Sequence, residues 1–512
     1  MASENITRRS FAGIGMTAAA GLGLAAAHLT NARADEAVDE APAWNKEADV
    51  VVVGYGGAGA AAAIEAARAG ARVIVLEELE NPGGATAVCG GSILMADTPL
   101  QKKFGLEDSV DAMYDYLCAS GGASANQELL RVLADFSPEL YEWCVGCGMD
   151  FEGGELYPGP HINSFNKTGY TLFYTGNEQS RELAAVTPPV PRGHSTLPDS
   201  NGTSLFAALS AVVDSLGVEV LLGTPARSLV TDAEGRVVGV LAEGPEGPVA
   251  VGASKAVVLT AGGFIDNPQM VADTFPFTNP SGGLRISAGN ENGSGILMGM
   301  KVGAATKSLS VPNIQEFIYR FQDMPCGVMV DFRGHRFLGE DWYGTWIGRN
   351  VQQHTPDQAY LVVDSVINEH VDDNLGLQQA VLVAQADTVE DLAAQLGIDA
   401  GNLQATLDRY NSLVAAGEDT DFHKSAEYLK PVETAPFYAY DFSLAMCGFH
   451  TLGGLKINAD AQVVDVEGNP IEGLYAAGRS SNGIFGYYPG SGSSIADALT
   501  FGRIAGQSIS AK

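Results

Sequence analysis

Positive charge is scarce in this chain: 29 Lys and Arg stand against 61 Asp and Glu over 512 residues, a formal charge of −32. Such an excess repels phosphate backbones and anionic lipid, which argues against nucleic acid or a charged membrane as partner. It does not exclude an anionic small molecule, because a local basic site can sit inside an acidic shell. Cysteine is also sparse, with six at positions 89, 118, 144, 147, 326 and 447, too few and too scattered for a disulfide framework. Cys144-Val-Gly-Cys147 has metal or redox spacing, but no second pair and no nearby histidine completes a zinc or iron–sulfur site, so no metal is expected. The run from Leu140 to Cys147 reads instead as the end of a helix closed by Gly148. No Cys-x-x-Cys-His occurs, so no haem is attached and electrons must be exchanged with a separate partner. Past the N-terminal segment there is no apolar run of the roughly eighteen residues that a membrane helix needs.

What is present begins with an address. Thr7-Arg-Arg-Ser-Phe11 precedes an apolar stretch from Ala12 to Ala27, and Ala32-Arg33-Ala34 has the small-x-small pattern of a cleavage site. Residues 1–34 thus resemble a twin-arginine export signal, which serves proteins that fold around a cofactor before translocation. A cytoplasmic amphipathic leader is the alternative. Export to the periplasm or cell surface is expected, with at most peripheral membrane contact. The acidic, alanine-rich residues 35–45 read as a linker.

The run Ala48-Asp-Val-Val-Val-Val53 suits a buried parallel strand, and the alanine-rich stretch Ala58 to Ala71 suits a helix packed closely on a sheet. Between them lies Gly54-Tyr-Gly-Gly-Ala-Gly59. Gly54 permits a tight turn, Gly56 lets backbone approach a pyrophosphate, and Gly59 lets helix and strand pack closely. The phosphate would meet the helix N-terminus, where free N–H groups favour negative charge. A second strand, Arg72 to Leu76, ends on Glu77, placed to accept a hydrogen bond from a ribose hydroxyl. A glycine turn alone is weak evidence; strand, turn, helix, strand and acid in order make a dinucleotide site.

A further glycine-rich stretch, Asn81-Pro-Gly-Gly-Ala-Thr-Ala-Val-Cys-Gly-Gly91, is superfluous for nicotinamide and suits a bulky isoalloxazine against backbone. Here the chain resembles the flavoprotein family of soluble fumarate reductases, urocanate reductases and 3-ketosteroid dehydrogenases. Thr260-Ala-Gly-Gly-Phe264, Arg333-Gly-His-Arg-Phe337, His450-Thr-Leu-Gly-Gly454, Gly473-Leu-Tyr-Ala-Ala-Gly478 and Ala496 to Arg503 carry the likeness onward from about residue 46 to the end. The resemblance implies FAD and an α/β fold: a Rossmann-like FAD-binding domain in two parts, 46–285 and 436–512, with an α+β capping domain at 286–435. It assigns to the cofactor Gly54, Gly56, Gly57, Ala58, Gly59, Glu77, Gly84, Ala85, Thr86, Gly90 and Gly91. Later in the chain it adds Ala226, Ala261, Gly262, Gly478, Ser494 and Ile495. Within the cap, Thr388 to Leu396 and Asn402 to Ala416 read as amphipathic helices.

Moving a hydride to or from a carbon beside a carbonyl requires donors on the carbonyl oxygen and a proton relay. Tyr488-Pro-Gly-Ser-Gly492 resembles the ketosteroid dehydrogenase segment in which a tyrosine hydroxyl and a glycine N–H hold the ketone, here Tyr488 and Gly492. Fumarate reductases carry a carboxylate-clamping arginine in this stretch; from Ser480 to Leu499 there is none. Tyr343 likewise stands where their proton-donating arginine is expected, with Arg349 left unassigned. His450 matches a fumarate reductase histidine that contacts substrate. Tyr319 resembles the relay tyrosine of ketosteroid Δ4-dehydrogenases, and Arg192-Gly-His194 matches that branch but reads equally as a helix cap. The reading is an exported FAD oxidoreductase that reduces an α,β-unsaturated ketone, steroid-like, using an extracytoplasmic electron donor. The same site run backwards desaturates a 3-ketosteroid. An unsaturated-acid reductase and a non-catalytic flavin carrier are the remaining alternatives.

Overall fold

Four consecutive valines, Val50 to Val53, offer solvent no polar face, and the strand Lys46–Val53 is accordingly buried at the centre of a parallel sheet. The computed structural model describes residues 43–157, 169–197, 199, 201–275, 283–317, 324–369, 381–481 and 483–511. In it, the central strand pairs with Val73–Leu76 on one side and Gly247–Leu259 on the other, Val51 lying opposite both Ile74 and Val257. Glu219–Leu221 extends the sheet beyond the first neighbour and Pro470–Ala476 beyond the second. A strand from the 470s therefore lies two places from one in the 50s, and the Rossmann-like domain is assembled from both ends of the chain.

Small residues set how closely its helices approach. A Cβ on Gly502 would lie 2.5 Å from the Ala58 carbonyl oxygen and one on Gly506 2.6 Å from that of Ala62, so the helices Gly57–Arg68 and Ser493–Ser510 touch through backbone. Both helix N-termini are thereby brought to the same edge of the sheet.

The capping segment builds its own antiparallel sheet from Val328–Val330, Tyr360–Val363, Phe437–Asp441 and Leu382–Ala386. Three of these strands fall inside 286–435 and the fourth just past it. The two helices expected there form as Val389–Leu396 and Ala400–Ala416, capped by the Thr388 and Asp399 side chains and ended by Gly397 and Gly417 at positive φ. Arg336 joins Glu340 and Asp419 in a buried ion cluster, which Lys424 completes from 3.2 Å of Glu340.

The Arg192-Gly-His194 motif caps no helix. Gly193–Ser195 is a strand pairing with Ser92–Leu94 and Tyr170–Phe173. Arg192 is fully buried against Asp108, Nε to Oδ2 at 2.8 Å and Nη2 to Oδ1 at 2.6 Å. His194 Nδ1 donates to the Arg192 carbonyl and Nε2 accepts from Thr98, each at 2.9 Å, and burial pushes its pKa down to about 4. This histidine is a core residue with both nitrogens used.

Candidate active site

A cavity of about 550 Å³ runs from the Gly54 turn to the Tyr488 loop. The helix Gly57–Arg68 begins at Gly56, whose lack of a side chain leaves no cap of its own; the Gly57 N–H donates to Thr86 Oγ1 at 3.0 Å, and this first turn lines the cavity. At Gly54 φ is +102° and a Cβ would come within 2.5 Å of the Thr260 carbonyl oxygen; only glycine lets the two loops meet there. Gly59 does not line the cavity. Its missing Cβ would sit 2.0 Å from the Gly54 oxygen, so it acts through helix–strand packing. Glu77 is buried at the end of its strand, accepting the Tyr55 N–H at 2.7 Å and the Leu79 N–H at 2.9 Å. Burial raises its pKa and these N–H groups oppose the rise.

The other positions read from the sequence converge on the same space. Gly57, Ala58, Gly84, Ala85, Thr86, Gly90, Gly91 and Ala226 all line it, as do Ala261, Gly262, Gly478, Ser494 and Ile495. Gly492 and His450 line it too, His450 beside Tyr488 at the far end. Tyr319 lies outside the described residues.

A second uncapped helix start faces this far end. Gly492, at φ +88°, is the N-cap of Ser493–Ser510, and the Tyr488 hydroxyl is 3.4 Å from the Ser494 N–H. His450 is buried with both ring nitrogens unpartnered, and its ring centroid is 5.0 Å from that of Tyr488. Burial, followed by the Arg479 charge, holds this imidazole well below its usual range and so neutral. Burial likewise raises the Tyr488 hydroxyl, while hydrogen bonds from Ser494 and then the Arg479 charge pull against the rise.

From the sequence Tyr343 stood out only as the residue in place of an arginine, and Ser491 only as part of the Tyr488 to Gly492 segment; neither was assigned a role. Both line the cavity, with the Tyr343 hydroxyl 3.0 Å from Ser491 Oγ, and burial raises the Tyr343 pKa far above the ordinary phenol range. The available signal was its place after Arg336-Phe-Leu-Gly-Glu340, where a proton donor is expected. Arg349 does not line the cavity; its guanidinium lies 3.4 Å from the centre of the Tyr487 ring. Among the described residues, no group of His, Cys, Asp and Glu could hold a metal ion, and all six cysteines are unbridged.

This lining fits FAD. The helix start at Gly56 suits phosphate, Glu77 suits a ribose, and Gly90 leaves open space where a side chain would project. A split dinucleotide domain with a capped, tyrosine-lined end defines an FAD-dependent oxidoreductase acting on CH–CH and C=C bonds. A family model described as FAD binding domain matches residues 49–495, and the chain belongs to that family. A urocanate reductase from Eggerthella lenta is 30% identical, over 93% of this chain and 77% of that protein. A 3-oxo-5-alpha-steroid 4-dehydrogenase from Comamonas testosteroni is 28% identical, over 85% and 93%. The crystal structure of 3-ketosteroid-delta4-(5alpha)-dehydrogenase from Rhodococcus jostii RHA1, in complex with 4-androstene-3,17-dione, matches at TM-score 0.83 and 35% identity, over 93% of this chain and 99% of that one.

Proposed function

We propose that this protein reduces the C=C bond of a neutral α,β-unsaturated ketone of steroid-like size, outside the cytoplasmic membrane, with electrons from a separate carrier. The observation that carries the reading is the Tyr343–Ser491 hydroxyl pair beside Tyr488 and His450. FAD, when bound, supplies the hydride. Tyr488 and the Gly492 N–H are the donors for the ketone oxygen, at a helix start whose dipole favours the negative charge developing there. Tyr343, kept protonated by burial, gives the proton to the substrate carbon and is resupplied through Ser491. His450 stays neutral and offers one donor and one acceptor to substrate.

Tyr343 occupies the place of the arginine expected in unsaturated-acid reductases, and Arg349 is turned onto Tyr487, so a dicarboxylate finds no clamp from either position. The likeness to two ketosteroid enzymes supports the ketone. Because those two are named dehydrogenases, desaturation of a 3-ketosteroid through the same groups in reverse is the second reading. Export rests on the resemblance of residues 1–34 to a twin-arginine signal. Among the described residues, no helix is long and apolar enough to cross a membrane.

The test is anaerobic reoxidation of the photoreduced flavoprotein, followed at the flavin absorbance, against enones, 4-ene-3-ketosteroids, urocanate and fumarate. Rapid reoxidation by enones alone supports the proposal. Reoxidation by the acids alone overturns it, and flavin reduction by saturated 3-ketosteroids without enone turnover assigns the reverse direction.

A further inference from the structure

One polar atom in the cavity is explained neither by the phosphate-facing turn nor by the tyrosine site: Glu291 Oε2. The Glu291 side chain is 5% exposed, and its Oε1 accepts from Arg479 Nη1 at 2.7 Å. That same nitrogen also donates to the Ile286 carbonyl at 2.9 Å. Oε2 is buried and takes no well-aligned hydrogen bond from the protein, the Gly263 N–H being the backbone donor that acts on the carboxylate. Burying a carboxylate oxygen without a donor is costly, so a built position of this kind implies a donor from a ligand.

The backbone is shaped to keep Glu291 where it is. Its N–H donates to Asp266 Oδ2 at 3.0 Å, and its carbonyl accepts the Asp266 N–H at 2.9 Å. The facing residues are glycines: a Cβ on Gly262 would lie 3.2 Å from Glu291 Cγ, and one on Gly263 3.1 Å from Oε2. Both Glu291 and Arg479 line the cavity.

We propose that Glu291 is a cofactor ligand of this chain, its Oε2 accepting a hydrogen bond from a hydroxyl or N–H of the flavin half of FAD while Arg479 holds its Oε1. The pyrophosphate is excluded as partner because it is anionic and offers no donor, and the ribose end belongs to Glu77. The ribityl hydroxyls and the ring N–H remain. Arg479 is felt electrostatically by His450 and Tyr488, which places the pair toward the reacting end. Burial pushes the Glu291 pKa up, and the Arg479 guanidinium and the Gly263 N–H oppose that push.

The pair is neutral as a whole. Removing the carboxylate charge leaves Arg479 alone beside the flavin half, where a bare cation favours electron uptake. The diagnostic variant is Glu291→Gln, whose amide oxygen still accepts from Arg479 while its NH₂ replaces Oε2 and turns the acceptor into a donor. FAD binding to apoprotein, followed by quenching of flavin fluorescence, is expected to weaken roughly 10- to 100-fold, as for loss of a hydrogen bond to a charged group. The midpoint potential of the bound flavin is expected to rise. Affinity within twofold of the parent together with an unchanged potential overturns the proposal and leaves Glu291 as a partner of Arg479 only. If apo E291Q melts below the parent, the double variant E291Q/R479Q removes both charges and gives the same reading: weakened FAD supports the contact, parental affinity overturns it.

Discussion

The Tyr343 hydroxyl lies 3.0 Å from Ser491 Oγ although 148 residues separate them, and one short segment aligns both partners. Asn177 Oδ1 accepts the Tyr343 N–H at 2.8 Å, and the Thr175 carbonyl accepts the Ser491 N–H at 2.7 Å. Between them, Gly176 pairs with Gly490 as an isolated bridge. A Cβ on Gly176 would lie 2.5 Å from the Pro489 carbonyl oxygen, so this close approach needs glycine. The geometry of this hydroxyl pair therefore depends on residues 175–177.

Replacing Tyr343 by Phe removes the proposed acid and leaves its packing intact. Substrate-driven reoxidation of the reduced flavin should slow by roughly 100- to 10,000-fold, with FAD content and melting temperature near those of the parent. A Ser491→Ala variant should lose less, because water can replace a relay hydroxyl. Parental rates in Tyr343→Phe would remove this tyrosine from the mechanism.

Tyr488→Phe tests the carbonyl clamp. Loss of one donor to a developing oxyanion should lower kcat about 100-fold or more with little change in FAD binding. Stopped-flow absorbance at the flavin band gives both quantities. A variant that turns over at the parent rate would show that the Tyr488 hydroxyl does not hold the ketone.

Gly54→Ala should abolish FAD retention. The added Cβ would fall 2.5 Å from the Thr260 carbonyl oxygen at a φ of +102°, and neither backbone can yield without opening the turn. The measure is the ratio of flavin to protein absorbance after purification, which should drop to near zero.

Asp497 sits in the helix Ser493–Ser510 with Oδ2 unpartnered, and burial alone pushes its pKa up to about 7. Its folded pKa lies above the unfolded value, so stability is fully present below about pH 4 and falls as pH rises through about 7. Asp497→Asn removes this loss. Denaturant titration should find the variant close to the parent at pH 4 and more stable by about 2 to 4 kcal/mol at pH 8. Equal stability at pH 8 would mean that the carboxylate is accommodated.

Lys424 is buried, 3.2 Å from Glu340, and donates to the Gly327 carbonyl at 2.7 Å and to Tyr410 at 3.0 Å. Lys424→Met strips one cation from a cluster that retains Glu340 and Asp419, a change expected to cost about 3 to 5 kcal/mol. Because Glu340 is three residues from Tyr343, activity should fall along with stability. A melting temperature equal to the parent's would show that the cluster tolerates the missing charge.

Much of this was legible in local sequence. The order of valine strand, glycine turn, alanine helix, second strand and Glu77 specifies a dinucleotide site because each part acts through backbone conformation or period, which nearby residues control. The cap helices were visible through Thr388 and the alternation of apolar positions, and Tyr488 with Gly492 through a glycine-bounded loop. Gly59 was found for its packing and belongs behind the cavity wall.

The chain by itself determined the fold class and the cofactor, since these rest on short motifs whose physics is local. Only the tertiary structure decided which tyrosine meets Ser491, that Arg349 turns onto Tyr487, that His194 is a satisfied core residue while His450 is not, and that Glu291 is buried against Arg479. Those outcomes depend on pairings across 96 or more residues, or on which buried polar atom lacks a partner. No spacing in the sequence encodes them, because burial and partnership are properties of the assembled interior.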